Sequence, residues 1–464
     1  MSIAKVLAFV LALHSHLALA EAPSGKPPNI VVILTDDQGY ADISLNPHHP
    51  KEVATPNMDT LATDGVVFTQ AYTSGHVCSP TRAGLMLGRY QHRVGVYSGG
   101  DGGRGFDPKL RIFPSFLPDE YLSIAIGKWH LGLDEDYPEL KWHAMNRGFD
   151  EFYGFMGRGG HSYFDLRSDS VGKFKHPIYR NKDRINDQGY LTNRLTEEAV
   201  KFIDRSKNQP FFLYLAYNAV HAPAEAPQTD IDEYQKRFPG ISNERVILMA
   251  MLKHLDDGVG QAVAKLKEEG LFENTLLFFL TDNGGARAMK ADNSPLRGYK
   301  GSLQEGGIRT PFIVSWPAKF SGSRTVDTPI ISFDILPTTL DAIGVALPLE
   351  TRFDGKSLLP LLTGQSKTHH EKLYWSKGGD GEWAVRHGDW KLRAVKERRE
   401  LFNLAADPSE TTDLVDEKPE IVKTLSDAFD QWITQMPDPI TGGRKRWEAI
   451  PETKTFTEPP GNGR

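Results

Sequence analysis

The sequence predicts an α/β fold: a large mixed, mainly parallel sheet flanked by helices, followed by a smaller C-terminal α+β domain with an antiparallel sheet. Three observations lead there. Four apolar runs read as buried strands, and each finishes in ionisable or amide residues. A stretch with helical spacing separates the last two, giving the strand–helix alternation of a parallel sheet. From about Gly355 the texture changes to short strand candidates divided by Gly-rich turns.

Taken in order, Met1 to Ala20 reads as a secretory signal peptide. Lys5 is the positive n-region, Val6 to Leu13 the apolar h-region and Ala18-Leu19-Ala20 the cleavage site. The apolar stretch is shorter than the roughly 20 residues that span a bilayer. Ile30 to Leu34 leads into Asp36-Asp37, Ile124 to Ile126 into Lys128 and His130, Phe211 to Tyr217 into Asn218 and His221, and Leu276 to Leu280 into Asp282-Asn283. Glu244 to Glu269 is the helical stretch, with Ile247, Met251, Leu255, Val259 and Val263 on one face. In open sheets of this class, ligands gather beyond the carboxyl ends of the strands. Residues 21–354 form the main domain and 355–436 the smaller one, with strands at Leu373 to Trp375, Trp383 to Arg386 and Trp390 to Ala394 and a helix at Ile421 to Met436. Residues 437–464 read as an extended tail, and Ser98 to Gly105 as a mobile loop that lacks the Lys-Ser/Thr of a phosphate-binding P-loop.

Composition narrows the function. The 464 residues carry 54 Lys+Arg against 60 Asp+Glu, a net charge of −6, which argues against a broad nucleic-acid footprint. Nor is this the composition of a disordered, collagen-like or membrane-spanning chain. The single cysteine, Cys78, excludes an internal disulfide. A signal peptide without disulfides, and with no Asn-x-Ser/Thr acceptor, points to a secreted or periplasmic bacterial protein.

Cys78 lies in GHVCSPTRAGLMLGRY. Ser79 is expected to cap a helix that starts at Pro80, leaving Cys78 beside the positive end of the helix dipole, where anions bind. Arg82, one turn along, adds a planar cation suited to tetrahedral oxyanions. Taken alone, a lone cysteine is more often a small buried hydrophobe.

The pattern Cys78, Pro80, Arg82, continuing to Gly88-Arg89, resembles the signature of the formylglycine-dependent (type I) sulfatases of the alkaline-phosphatase-like superfamily, in an arylsulfatase or N-acetylgalactosamine-6-sulfatase-like form. Leu87, where Thr is usual, and Thr81, where Ser is commoner, are departures from the extended signature. Further motifs arrive in order: Asp36-Asp37-Gln38-Gly39-Tyr40-Ala41-Asp42, Gly127-Lys128-Trp129-His130-Leu131-Gly132, His221 in NAVHAP, Asp282-Asn283 in TDNGG and Lys300 in LRGYKGSLQEGGIRTP.

The resemblance implies that Cys78 is oxidised to formylglycine by a maturation enzyme. It also implies that Asp36, Asp37, Asp282 and Asn283, with residue 78, hold one Ca²⁺, which suits their oxygen donors. Paired acidic residues after a strand are also common as solvated turns. Lys128, Lys300 and Arg82 would neutralise sulfate oxygens, His130 would orient or deprotonate the formylglycine hydrate, and His221 would protonate the leaving alcohol. One hydrate hydroxyl attacks sulfur, the alcohol leaves, and the second hydroxyl then expels sulfate as the aldehyde re-forms.

Sulfated saccharides or aryl sulfates are the implied substrates, with galactose or N-acetylgalactosamine sulfates as candidates. Arg158, His161 and Tyr163 on a Gly-rich stretch, and Arg104, are candidate sugar contacts or ordinary loop residues. Two other readings stay open: a phosphodiester or phosphonate monoester hydrolase of the same superfamily, and a non-catalytic glycan-binding homologue in which Cys78 is never converted.

Overall fold

The computed structural model describes residues 25–133, 138–320, 322–379 and 381–441. The signal-peptide reading and the tail beyond residue 441 lie outside them.

The strand Asn29–Thr35 is near the middle of a ten-stranded sheet. The spatial order is Arg324–Val326, Val66–Phe68, Phe312–Ser315, Thr275–Thr281, Asn29–Thr35, Phe211–Ala216, Leu122–Lys128, Glu151–Phe155, Ile178–Arg180 and Asp183–Ile185. The five strands from Thr275–Thr281 to Glu151–Phe155 run parallel, and antiparallel pairs flank them on both sides. Register aligns the functional ends: Thr35 pairs with Thr281, and Leu34 with Ala216. Asp36 and Asp282 therefore leave the sheet side by side.

Both faces of the central strand are covered, which explains its unbroken apolar run. Ile30, Val32 and Leu34 enter a core with Ala83, Leu85 and Met86 of the helix Cys78–Leu87. Val31 and Ile33 enter the opposite core, with Leu195 and Phe202 of Leu191–Ser206 and Leu255 and Val259 of Asn243–Glu268. Each fully buried side chain of this kind contributes about 1.5–3 kcal/mol before entropy is counted. The long helix starts one residue before the expected position because the Ser242 hydroxyl accepts the backbone N–H of Arg245 at 3.3 Å.

The C-terminal sheet has four antiparallel strands, Lys372–Ser376, Trp383–His387, Trp390–Val395 and Arg398–Asn403. The last escaped the sequence reading because its opening, Arg398-Arg399-Glu400, is polar. Helix Pro419–Ile433 packs on this sheet through stacked rings, Trp383 on Phe429 and Tyr374 on Trp432. Trp375 also shares a core with Tyr72 and Ile308 beside the large sheet. Buried Lys391 bridges Glu305 and Glu410 at 2.8 and 2.9 Å, joining the small sheet to the segment after Lys300.

Two loop expectations are corrected. Gly99–Gly103 is a short helix, closed by a Ser98–Asp101 capping box, rather than a mobile loop. The first residues of the expected tail are packed, with Ile440 fully buried.

Candidate active site

The candidate catalytic residues gather beyond the carboxyl ends of the parallel strands: Cys78 and Arg82 on the helix Cys78–Leu87, Lys128, His130 and His221 at or after strand ends, and Lys300 in a turn before the short helix Glu305–Ile308. The cysteine helix begins two residues earlier than expected, at Cys78 itself with Val77 as N-cap. Ser79 does not cap it; its hydroxyl instead donates to the His130 carbonyl at 2.7 Å, tying the cysteine turn to the loop after Leu122–Lys128.

The Cys78 sulfur is buried, 3.4 Å from Asp36 Oδ1 and 3.3 Å from Lys300 Nζ. Burial, followed by the Asp282 and Asp36 carboxylates, pushes the thiol up to about 12. In this setting an unmodified cysteine is a protonated thiol and a poor nucleophile.

Arg82 is fully buried and each of its three guanidinium nitrogens is engaged. Nε donates to Asp282 Oδ2 at 2.9 Å, one terminal nitrogen to the Lys128 carbonyl at 2.7 Å, and the other to Asp36 Oδ2 at 3.3 Å. These bonds make Arg82 a brace across three strand ends. Lys128 Nζ contacts Asp36 Oδ2. Lys300 Nζ meets Asp37 Oδ1 at 2.6 Å and is one-fifth exposed, so it is the cation on the open side.

Oxygen atoms crowd between these cations. Asn283 donates its amide to Asp37 Oδ1 at 2.7 Å. Its own carbonyl oxygen and Asp282 Oδ1 are buried without a hydrogen-bond partner. Burial, followed by the Asp36 charge, pushes Asp282 up to about 6. Three carboxylates, one with an orphaned oxygen, and the orphaned Asn283 amide oxygen form an oxygen-rich cluster that fits a hard divalent cation. Asp36, Asp37, Cys78 and His221 bring donor atoms within 4.8 Å of one another. Asp42, in the same motif as Asp36, stays out of this group: it pairs with Arg245 at 2.6 Å and closes a turn.

Two imidazoles flank the cluster. His130 has φ of 54°, a left-handed conformation that is costly for a residue other than glycine, and its Nδ1 is buried without a partner. Burial, then the Lys128 and Arg82 charges, holds it well below the usual imidazole range. His221 Nδ1 lies 2.7 Å from the Ala222 carbonyl, which fixes it as the N–H side, and Nε2 lies 3.6 Å from Asp37 Oδ2. Burial also lowers His221, against the pull of Asp37 and Asp36.

The expected sugar contacts separate. Arg104 and Arg158 are exposed, with the Arg158 stem packed over Gly103 beside His130. His161 is fully buried, its ring nitrogens 2.6 and 2.8 Å from the Ser162 and His176 carbonyls. Tyr163 is buried too, its hydroxyl donating to the His221 carbonyl at 2.9 Å. Both support the His221 loop from within rather than facing the open side.

Four further residues shape the site without a local signal in the sequence. Ser79 ties the cysteine turn to His130, and the Asn218 amide clamps the His161 backbone at 3.1 and 2.9 Å. Arg245 pairs across 203 positions, a separation that leaves no local signal. His76, buried two residues before Cys78, is driven down to about 3 by burial and then by Lys377, just past the strand Lys372–Ser376.

The chain resembles known proteins over most of its length. It is 32% identical over 398 residues to the uncharacterized sulfatase YdeN of Escherichia coli K12, covering 76% of this chain and 69% of that protein. It is 31% identical over 386 residues to the N-acetylgalactosamine-6-sulfatase of Mus musculus, covering 77% and 70%. The crystal structure of Ps i-CgsB in complex with k-i-k-neocarrahexaose superposes with a TM-score of 0.82 at 32% identity, covering 89% of this chain and 94% of that one. Residues 299–435 match the C-terminal model of N-sulphoglucosamine sulphohydrolase. Because the sulfatase model itself matches residues 28–345, which carry the whole oxygen cluster, both imidazoles and Cys78, the chain belongs to the sulfatase family of sulfuric ester hydrolases.

Proposed function

We propose that this protein hydrolyses O-sulfate esters of carbohydrates, using formylglycine formed from Cys78 and one Ca²⁺ held by Asp36, Asp37, Asp282 and Asn283. The observation that carries this reading is the setting of Cys78. The only cysteine opens a helix, between Asp36 and Lys300, beside two buried oxygens that lack partners. When bound, Ca²⁺ would polarise a sulfate oxygen and offset the carboxylate charge. Formed from Cys78, the hydrated aldehyde would supply one hydroxyl as nucleophile and a second whose deprotonation would release sulfate.

The chain's own residues do the rest. Lys300, on the open side, meets the sulfate oxygens, and Lys128 adds positive charge beneath them. Arg82 fixes Asp36 and Asp282 at one spacing. Neutral His130 is suited to take a proton from the hydrate. His221, held through Nδ1 by the Ala222 carbonyl, presents Nε2 to the leaving oxygen and donates the proton there once it is charged.

The carbohydrate preference is supported by the oligosaccharide named in the Ps i-CgsB complex and by the N-acetylgalactosamine-6-sulfatase relatives. Arg104 and Arg158 are exposed, and we assign them contacts with sugar hydroxyls or a second anionic group. No helix among the described residues is long and apolar enough to cross a membrane. We infer secretion or periplasmic location from the Met1 to Ala20 segment, and a formylglycine-generating enzyme as the obligatory partner.

Mass spectrometry of the peptide spanning Cys78, from protein produced with the maturation machinery, tests the chemistry together with turnover of aryl sulfate and aryl phosphate. An aldehyde at position 78 with preference for sulfate is expected. An unmodified thiol in active enzyme, or faster phosphate release, would overturn the reading.

A further inference from the structure

Four glycines in a five-residue helix give it little intrinsic reason to form, since glycine is the poorest helix former after proline. Gly99–Gly103 is helical nonetheless, and Asp101 is its hub. Asp101 Oδ2 accepts the backbone N–H groups of Tyr97 and Ser98 at 3.1 and 2.9 Å, and the Ser98 hydroxyl at 2.9 Å. Oδ1 faces the other way and accepts both the backbone N–H of Thr441, at 2.7 Å, and the Thr441 hydroxyl. The segment around Thr441 is itself anchored. Ile440 donates its N–H to the Gly95 carbonyl at 2.9 Å with its side chain fully buried, and the Tyr97 hydroxyl donates to the Pro437 carbonyl at 2.8 Å. A segment 340 positions away in sequence thus straps the short helix from behind.

The opposite side of that helix faces the catalytic centre. A Cβ built on Gly102 would come within 1.8 Å of Ser79 Oγ, the hydroxyl that holds the His130 carbonyl. A Cβ on Gly103 would lie 2.6 Å from Arg158 Cγ and 3.7 Å from His130 Nε2. Only glycine allows this approach, and at such close packing a displaced helix displaces its neighbours.

We propose that Pro437–Thr441 is a positioning strap. Through Asp101 it presses the Gly-rich helix against Ser79, His130 and Arg158, so Asp101 and Thr441 act as positioning residues for turnover although neither belongs to the catalytic set. This rests on the sulfatase reading of the site.

The test uses full-length, matured protein carrying Thr441→Val, Thr441→Ser or Asp101→Ala. Thr441→Val removes only the hydroxyl, Thr441→Ser keeps it, and Asp101→Ala cuts both arms. Expected for Thr441→Val is a fall in kcat on an aryl sulfate of about tenfold, and for Asp101→Ala of about a hundredfold, with KM held within about twofold. Thr441→Ser should keep the kcat of the parent. Amide hydrogen exchange across residues 97–105 should quicken in Thr441→Val and Asp101→Ala while Tm moves little. Unchanged exchange in both, or faster exchange with unchanged kcat, overturns the strap. So does an activity loss that merely follows Tm and is shared by Thr441→Ser. A parent enzyme inactive on sulfate esters would instead defeat the functional reading, and exchange in Thr441→Val would still report on the strap.

Discussion

Arg82 Nε donates to Asp282 Oδ2 at 2.9 Å, while the other oxygen of that carboxylate is buried with no hydrogen-bond partner. One half of Asp282 is thus held by the protein and the other half is presented to the cluster. The same guanidinium reaches Asp36 Oδ2 and the Lys128 carbonyl, so one side chain sets the spacing of residues from three strands and the cysteine helix.

Arg82→Lys should therefore be far from conservative. A lysine is a point donor and cannot reproduce the fork that spans three acceptors. The charge survives, but each buried acceptor left without its donor costs about 1–3 kcal/mol. Urea unfolding should show that loss, and turnover should drop even after residue 78 is fully converted. Near-parental stability and activity would argue that Arg82 braces nothing.

Cys78→Ala and Cys78→Ser should both abolish turnover while the protein stays folded. The thiol is small, and the helix keeps its Gly88 cap and its buried Ala83, Leu85 and Met86. Circular dichroism and Tm check the fold, and aryl sulfate turnover checks the chemistry. Near-normal desulfation by Cys78→Ala would sink the formylglycine mechanism.

His221→Ala should be selective by leaving group. A good leaving group such as nitrophenolate needs little protonation, whereas a sugar alkoxide needs it fully. The loss in kcat should reach about 10²–10⁴-fold on a sulfated sugar and be much smaller on nitrophenyl sulfate. The pH sign follows from burial, which lowers the His221 pKa in the free enzyme. A proton donor fails as pH rises past its pKa, and a bound sulfate ester adds negative charge that raises it. The alkaline limb of kcat should therefore lie at higher pH than that of kcat/KM, and both limbs should vanish in His221→Ala.

Chelation should lower Tm as well as activity. Asp36, Asp37 and Asp282 repel one another once a bound cation is removed, although Lys128, Lys300 and Arg82 soften this. A ligand at a hundredfold excess over its Kd stabilises by about 2.7 kcal/mol. Adding back Ca²⁺ should restore Tm, and Asn283→Ala should weaken that recovery. Tm indifferent to both treatments would count against the metal.

Asp334 offers a test of acid stability away from the site. Burial alone would raise its pKa, but His370 and His369, at 2.8 and 3.1 Å, hold it well below its ordinary value of 3.8. A depressed carboxylate supplies stability that is complete above that ordinary value and is lost as pH falls below it. Asp334→Asn should cost about 1–3 kcal/mol at neutral pH, and its Tm gap to the parent should narrow as the solution is acidified through about pH 4. A gap independent of pH would rule out the ionic pairing.

Much of the fold was legible because local pattern and global fold agree. The run Ile30–Leu34 is apolar throughout since both of its faces are buried, and the long helix missed its expected limits by one residue at each end. Arg398–Asn403 was missed because its opening residues are charged, and the Gly-rich helix because its stability comes from Asp101 and Thr441 rather than from propensity.

By itself, the sequence determined the α/β class, the identity of the reactive residue types and the motifs that place this chain among sulfatases. Those features are local: a strand's apolar run ends in the residues that will line the site, and a motif keeps its chemistry within a few positions. Tertiary structure decided which groups do what. It made Arg82 a brace between strand ends, sealed His161 between two carbonyls, paired Asp42 with Arg245, and brought Thr441 to Asp101. All but the His161 contacts join partners far apart in the chain, and the His161 contacts depend on how its loop is folded. Burial and hydrogen bonding between such partners carry no periodicity that a sequence can display.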